Sequence, residues 1–311
     1  MRQVLQFDLG SLRILLEITV LTPTLQHTDM TSRPATSSSI PPGSQTSKVP
    51  PSPGMAEPTL PEHEIDLCFE QRQRHVVYIF AYNERPLLIK LLDQFPPPND
   101  RKFDLMLGDD GSTDGTAAAD LVAKYGIRGV TRLKRNGGLS QNIKIALRWL
   151  SSQNYQGVIF MNGNNRDGPD AIPEFIRMLD QGCGYVQGSR FVAGGWQVNT
   201  PWIRYLAIRL LHAPLFSLAS LKWMTDTTNG YRAFSMAFLN DPRVDAFQPG
   251  FVKYEIEQYL GWKAIRLGYR ATEIGVSRIY PVGQFSSHIR PGWGWVSMFK
   301  PLIMLLFRRY R

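Results

Sequence analysis

The chain has 311 residues, 43% of them hydrophobic and 20% charged, with 35 Lys and Arg against 26 Asp and Glu for a formal net charge of +9. That length holds one large domain or two small ones, and the basic excess points to anionic partners: nucleic acid, anionic lipid or a phosphorylated ligand. Two distant cysteines, Cys68 and Cys183, support neither a disulfide framework nor a zinc site, and five scattered histidines form no metal-binding spacing.

Residues 1–60 read as a disordered N-terminal tail. Ser, Thr and Pro dominate Thr31 to Gly54, a composition unable to bury enough apolar surface to offset ordering entropy. The apolar run from Leu12 to Leu21 is broken by Arg13 and Glu17, too short for a membrane span and a poor signal-peptide core. Met55 offers an alternative start. From His75 a regular alternation begins, and residues 70–285 read as the folded domain. His75 to Ala81 is a buried-type strand, and Leu87 to Phe95 a helix with Pro86 near its first turn. Phe103 to Gly108 is a second strand, which runs into Asp109-Asp110-Gly111-Ser112 and a helix from about Thr116 to Tyr125. The spacing predicts further strands at 129–133, 157–161, 184–191 and 270–276. It predicts helices at 138–152, 169–179 and 254–267. Strands alternating with helices imply βαβ units and an α/β fold with a mostly parallel sheet flanked by helices.

Trp202 to Trp223 is long and apolar but carries Arg204 and Arg209. From His288 onward there are four arginines, one lysine and no acid, with Trp293 and Trp295 nearby. Residues 286–311 therefore read as a basic, apolar membrane-surface segment with amphipathic interfacial helices on an anionic leaflet; a terminal helix packed on the core is the alternative. No basic-aromatic module of the nucleic-acid-binding type accompanies the charge, so no nucleic acid is expected as partner.

The chemistry concentrates at strand ends. An acidic pair where a parallel strand leaves the sheet can accept hydrogen bonds from a base or ribose, and Gly111 and Gly115 permit the tight turn behind it. Ala81-Tyr82-Asn83-Glu84, Asp109-Asp110-Gly111-Ser112, Arg135-Asn136-Gly137-Gly138-Leu139, Asp170-Ala171-Ile172-Pro173, Gly188-Ser189-Arg190-Phe191 and Asp226-Thr227-Thr228-Asn229-Gly230-Tyr231-Arg232 follow one another in the chain. In this order they resemble the family 2 inverting glycosyltransferases with a GT-A (Rossmann-like) fold, above all the polyprenyl- or dolichyl-phosphate mannosyl- and glucosyltransferases. The resemblance implies transfer of a hexose from a nucleotide-diphosphate sugar to a polyprenyl-phosphate acceptor, by a peripheral protein on the cytoplasmic face of a membrane. A lipid-linked sugar or other hydroxyl acceptor, or a catalytically impaired nucleotide-sugar-binding relative, are the alternatives.

By the same resemblance, Ala81, Tyr82, Asn83, Glu84, Asp109, Asp110, Gly138, Asn162 and Asn164 are expected to bind the nucleotide-sugar. Arg190, Arg204, Arg232 and Glu255 are expected at the acceptor. Asp226, Arg166 and Arg190 are the catalytic candidates, Asp226 as a base or as an orienting group. One departure stands out. The family's Asp-x-Asp, which helps hold Mg2+ or Mn2+ on the donor diphosphate, is replaced by Asn162-Gly163-Asn164. Amide oxygens ligate a hard cation without supplying charge, so a metal at Asn162, Asn164 and Asp167 is expected to bind weakly. Arg166 is expected to share the neutralisation of the leaving diphosphate.

Overall fold

A computed structural model describes residues 2–9, 12–19, 60–280, 293–307 and 309–310. The chain divides into two compact units, Met1–Pro58 and Thr59–Arg311. In the first, β1 (Arg2–Leu9) and β2 (Leu12–Thr19) pair antiparallel, with Leu9 opposite Leu12. The stretch read as a tail thus carries two strands; Thr31 to Gly54 and Met55 lie outside the described residues.

The second unit is built on strands β3 (His63–Leu67), β4 (His75–Ala81), β5 (Asp104–Asp109), β6 (Gly129–Leu133), β7 (Gly157–Asn162) and β8 (Tyr185–Ser189). To these it adds β9 (Trp196–Val198), β10 (Arg232–Ser235), β11 (Ala271–Gly275) and β12 (Ser277–Ile279). Eight of them form one sheet in the order β11-β8-β10-β7-β4-β5-β6-β3, while β9 and β12 pair separately. The pairs β4 with β5, β4 with β7, β5 with β6 and β8 with β11 are parallel; β10 and the edge strand β3 run antiparallel. Because β3 is part of the sheet, the unit starts at Thr59 rather than at residue 70.

Strand β4 shows why both faces are covered. Val76, Tyr78 and Phe80 point to one face and Val77, Ile79 and Ala81 to the other, all buried, as the two-residue period of a strand requires. Helices α1 (Arg85–Leu92), α2 (Ala119–Lys124) and α4 (Ile172–Asp180) bury Leu88, Leu121 and Phe175 against the second face. Helices α3 (Leu139–Leu150) and α8 (Glu255–Arg266) bury Ile143 and Leu260 against the first. Each such side chain contributes about 1.5–3 kcal/mol, and together they make three layers around two apolar cores.

Helix α5 (Trp202–Leu206), a π-helical turn over Ala207–His212 and α6 (Ala213–Ser220) run on from one another, and α7 (Met236–Leu239) follows β10. The terminal helix α9 (Trp293–Leu306) contains Pro301. It packs Leu302 and Leu305 into the α3/α8 core, where Tyr310 also lies, and exposes Ile303 and Phe307. Core packing therefore holds for the inner side of α9, while Ile303 and Phe307 are left on its outer side. Among the described residues no helix is long and apolar enough to cross a membrane.

Candidate active site

Three parallel strands end side by side. Ala81 pairs with Asp109 and Phe80 with Asn162, so the ends of β4, β5 and β7 form a row at the carboxyl edge of the sheet, where open α/β sheets gather ligands. The Asp110 N–H donates to the Ala81 carbonyl (3.0 Å) and the Gly163 N–H to the Phe80 carbonyl (2.8 Å). Beyond Ala81, Asn83 takes a left-handed backbone (φ 51). Its N–H donates to Ser112 Oγ (2.9 Å), and its Oδ1 accepts from the Thr113 N–H (2.9 Å). The N–H groups of Glu84 and Arg85 donate to Thr116 Oγ1 (3.1 Å) and Asp114 Oδ2 (2.9 Å). The segments at 81–85 and 109–116 are thereby stitched into one rim, with Tyr82 half-buried in it.

Asp109 and Asp110 are both buried and do different work. Asp109 Oδ1 accepts from the Ser112 N–H (3.0 Å), which closes the turn, and its Oδ2 lies 3.5 Å from Arg132 Nε. Asp110 accepts from the Gly137 N–H (2.8 Å), the Gly138 N–H (3.0 Å) and Asn136 Nδ2 (3.0 Å). Burial raises the Asp110 pKa, opposed by the two glycine N–H groups. A carboxylate has about four acceptor positions, and the donors from Asn136, Gly137 and Gly138, the last bridging both oxygens at 3.0 and 3.2 Å, take them up, so Asp110 pins the glycine loop. Gly111 makes this closure possible. Its φ is +76, and a Cβ there would stand 2.7 Å from the Arg135 carbonyl carbon.

Strand β7 runs out into Asn162-Gly163-Asn164. A Cβ on Gly163 would lie 3.0 Å from Ala81 Cβ and 3.5 Å from Glu84 Oε2, so the turn sits tight against the first segment with the Glu84 carboxylate beside it. Burial pushes Glu84 up to about 7, with Arg166 pulling it down and Asp114 pushing it further up. On the other side Asn162 lies against Gly230, where a Cβ would meet its Nδ2 at 2.7 Å and Glu257 Oε1 at 3.2 Å. Asn164 Oδ1 accepts from the Arg166 N–H (3.3 Å). Asn164 and Arg166 also line a cavity of about 860 Å³ together with Lys90, Asp170, Trp196 and Ile279, within the size range of small-molecule sites.

Next to the turn the charges are paired. Asp226, with no exposed surface, is gripped by Arg190 through Nε to Oδ2 (2.6 Å) and Nη2 to Oδ1 (2.8 Å). Burial alone would raise the Asp226 carboxyl, but the Arg190 charge and hydrogen bonds hold it below the ordinary carboxylate value. An enclosed carboxylate kept ionised in this way is a poor proton acceptor. The pairing therefore suits Asp226 as an orienting group and not as a base. The N–H groups of Thr225 and Asp226 in turn donate to Glu273 (2.9 and 3.1 Å). His212 Nδ1 bonds Thr227 Oγ1 (2.6 Å), and burial lowers its pKa to about 4, so the ring is neutral.

Three expected roles change on the same grounds. Asp167 is buried and ion-paired with Arg278, and Asn229 Nδ2 donates to it (3.4 Å), so it is spent inside the fold and not offered to a metal. Arg232 donates to the backbone carbonyls of Glu257 (2.7 Å) and Asn229 (2.6 Å), bracing α8 rather than facing an acceptor. Glu255 Oε2 accepts from the N–H groups of Val252 (3.1 Å) and Lys253 (2.6 Å) and ties down the approach to α8. Arg166 and Arg204 gather at one aromatic ring. Their guanidinium carbons lie 5.1 and 5.7 Å from the ring centre of Tyr280, with Arg278 at 5.5 Å. Burial would raise the Tyr280 phenol, but Arg278, Arg190 and Arg204 bring it down to about 8.

Tyr280, Arg278, Glu273 and His212 were not singled out from the sequence, whereas Glu257 was placed with Glu255 near the acceptor by resemblance. The available signal was Arg278 and Tyr280 at two-residue spacing, which puts them on one side of the extended stretch around β12 just past the last motif.

Residues 76–240, more than half of the chain, match the model of glycosyl transferase family 2. The chain belongs to this family. The polyprenol monophosphomannose synthase of Mycolicibacterium smegmatis is 28% identical over 211 residues, covering 66% of this chain and 77% of that protein. The dolichol-phosphate mannosyltransferase of Pyrococcus furiosus is 27% identical over 161 residues, 50% of this chain and only 45% of that protein. Among solved structures, a glucosyl-3-phosphoglycerate synthase from Mycobacterium tuberculosis in complex with Mn2+, UDP and glucosyl-3-phosphoglycerate superposes with a TM-score of 0.52 at 18% identity, over 76% of this chain and 80% of that one. A mannosyltransferase from Pyrobaculum calidifontis in complex with GDP-Man and Mn2+ gives 0.51 at 19% identity, over 76% and 67%. These likenesses establish the GT-A fold, and the family makes the protein a glycosyltransferase.

A divalent cation of the kind bound in those two complexes would meet a poor donor set at this chain's turn. The turn supplies two amides, Asp167 is taken by Arg278, and a guanidinium, Arg166, follows two residues on. Hard cations take oxygen ligands, with carboxylates supplying the negative charge, and this turn offers amide oxygens beside a guanidinium.

Proposed function

We propose that this family 2 glycosyltransferase moves a hexose from a nucleoside-diphosphate sugar to a polyprenyl phosphate, as a peripheral protein at the cytoplasmic surface of a membrane. The observation that carries the reading lies on one helical segment. Arg204 on α5 reaches the Tyr280 cluster, while Trp202, Ile203, Leu206, Leu210, Leu211 and Leu218 of the same continuous segment are exposed. A lipid phosphate needs a cation for its head and apolar surface for its tail. The relatives named for polyprenol and dolichol phosphate point the same way.

In this reading the rim formed by Tyr82, Asn83, Asp109 and Asp110 takes the nucleoside, with Asp110 holding the glycine loop against it. Ala81, Glu84, Gly138, Asn162 and Asn164 shape the floor under the diphosphate and sugar. An ionised phosphate oxygen of the acceptor attacks the anomeric carbon, and the bond from that carbon to the diphosphate breaks with its electron pair leaving on the diphosphate. No proton is transferred, which suits a site whose Asp226 is locked to Arg190. The protein's work is to hold the two phosphates in line and to place positive charge where negative charge grows. Arg204 and Arg190 lie on the acceptor side of that arrangement, and the exposed leucines and tryptophans meet the bilayer.

A hydroxyl acceptor would instead require a base, and Glu84, pushed up to about 7, is the group that favours this second reading. Incubation with radiolabelled UDP-Glc or GDP-Man and polyprenyl phosphate in vesicles separates the two. Under the first reading the wild type labels the lipid phosphate, whereas under the second it labels only an added lipid-linked sugar, and Glu84→Gln abolishes that transfer.

A further inference from the structure

A departing nucleoside diphosphate needs positive charge at its oxygens. In this chain the positive charge is already built in. Of the carboxylates around the Asn162-Gly163-Asn164 turn and its neighbours, four sit with a guanidinium. Arg278 pairs with Asp167, Arg190 with Asp226 at 2.6 Å, and Arg232 stands 3.8 Å from Glu257. Arg166 acts on Glu84 through space. Arg204 is a fifth guanidinium, and among the described residues it has no hydrogen bond or ion pair, only its contact over Tyr280 at 5.7 Å.

With Glu273 and Asp170 also at hand, the charges near the turn roughly balance before any ligand arrives. An Asp-x-Asp turn carries uncompensated carboxylates that a dication must satisfy. Here a dication would find amide oxygens with a guanidinium two residues on. Tyr280 explains how so many like charges are held together. Its ring contacts Arg166, Arg204 and Arg278 at 5.1 to 5.7 Å, and such contacts offset their mutual repulsion. Its hydroxyl accepts from Arg278 Nε (3.2 Å). Arg190 also keeps a buried Nη1 without a hydrogen-bond partner, a donor left over for an oxyanion. Of these cations Arg166 alone belongs to the turn itself, two residues beyond Asn164.

We infer that Arg166, with the Tyr280-centred arginines behind it, takes the place of a divalent cation on the donor diphosphate, so that this glycosyltransferase works without a metal. The inference rests on the reading of the site as one for a nucleoside-diphosphate sugar. Guanidinium suits the task because its planar fork meets phosphate oxygens two at a time. The bond changes are those given above. The electron pair released from the anomeric carbon comes to rest on a diphosphate oxygen facing Arg166 instead of one bound to a metal.

The test is calorimetric binding of UDP and of GDP to the full chain, in EDTA and in millimolar MnCl2, independent of any acceptor. The expected result is a Kd for at least one nucleotide that agrees within about threefold in the two buffers, and that weakens about tenfold to a hundredfold in Arg166→Ala. Arg166→Lys, which keeps the charge but loses the fork, should fall between them, and thermal melts of both variants show whether the fold is intact. A complementary variant, Asn162→Asp with Asn164→Asp on the Arg166→Ala background, should recover binding only when Mn2+ is added. Wild-type binding that is lost in EDTA and restored by Mn2+, or a folded Arg166→Ala protein that binds as the wild type does, overturns the inference and leaves the proposed function standing. Failure of both nucleotides to bind in either buffer overturns both.

Discussion

Asp226→Asn removes one charge from the most enclosed ion pair in the site. Asp226 has no exposed surface and Arg190 only 2%, so the guanidinium left behind cannot turn to water. Breaking a buried pair from one side costs about 3–5 kcal/mol. Asparagine keeps one acceptor oxygen but points an amide N–H at the other guanidinium nitrogen, which places the expected loss near the lower end, about 3 kcal/mol. For a unit of this size that corresponds to a fall in Tm of roughly 6–12 °C. Urea unfolding followed by far-UV circular dichroism measures it directly. The pH dependence carries a sign. The folded carboxyl lies below the unfolded value near 4, so the pair contributes fully above that value and loses its contribution as pH falls through the folded one. The stability gap between wild type and variant should therefore stay level from pH 5 to 8 and close only in more acid solution. Replacing both partners, Arg190→Met with Asp226→Leu, should recover most of the stability while leaving transfer abolished. A variant with the wild-type urea midpoint, or a gap that changes between pH 6 and 7 as for a titrating base, refutes the orienting role given to Asp226.

Two further outcomes follow from the arginine cluster and the exposed helix. Tyr280 is neutral below about 8 and a phenolate above it, so raising the pH adds a negative charge among the arginines. Affinity for the nucleoside diphosphate should fall by about threefold to tenfold between pH 7 and 9, and Tyr280→Phe should flatten that slope in a calorimetric titration; an unchanged slope in the variant contradicts the assignment. Leu210 and Leu218 are 66% and 59% exposed, so Leu210→Glu with Leu218→Glu should change stability by only about 0.5 kcal/mol. Loss of about 1.5–3 kcal/mol of burial per leucine in the bilayer should cut flotation with anionic vesicles tenfold or more, with transfer to a short, soluble polyprenyl phosphate retained.

Much of the fold was legible because its signals are local. Strand β4 is an unbroken apolar run, α3 carries a clear helical stripe, and the Asp109-Asp110-Gly111-Ser112 turn stands at the strand end its glycines require. What escaped notice depends on tertiary pairing. Strand β3 reads as a polar linker, His63-Glu64-Ile65-Asp66-Leu67, and becomes a strand only by pairing antiparallel with β6. Strand β10 contains Arg232, whose charge argues against a central strand until the carbonyls of Asn229 and Glu257 satisfy it. The site divides along the same line. Asp110 and Arg190 were recognisable from motifs, but nothing in the order of residues says that Arg278 lies on Asp167 or that Tyr280 gathers three guanidiniums. Arg278 and Asp167 stand 111 positions apart, and Arg166 and Arg204 come to Tyr280 from other elements of the fold.

The central claim is most directly tested by presenting the purified chain with radiolabelled UDP-Glc and GDP-Man and with polyprenyl phosphate in anionic vesicles, in EDTA, and counting label in the organic phase. The account predicts lipid-soluble label from at least one donor, dependent on the polyprenyl phosphate and undiminished by the chelator. Nucleotide binding without lipid-soluble product from either donor, whether in EDTA or with Mn2+ restored, would contradict it.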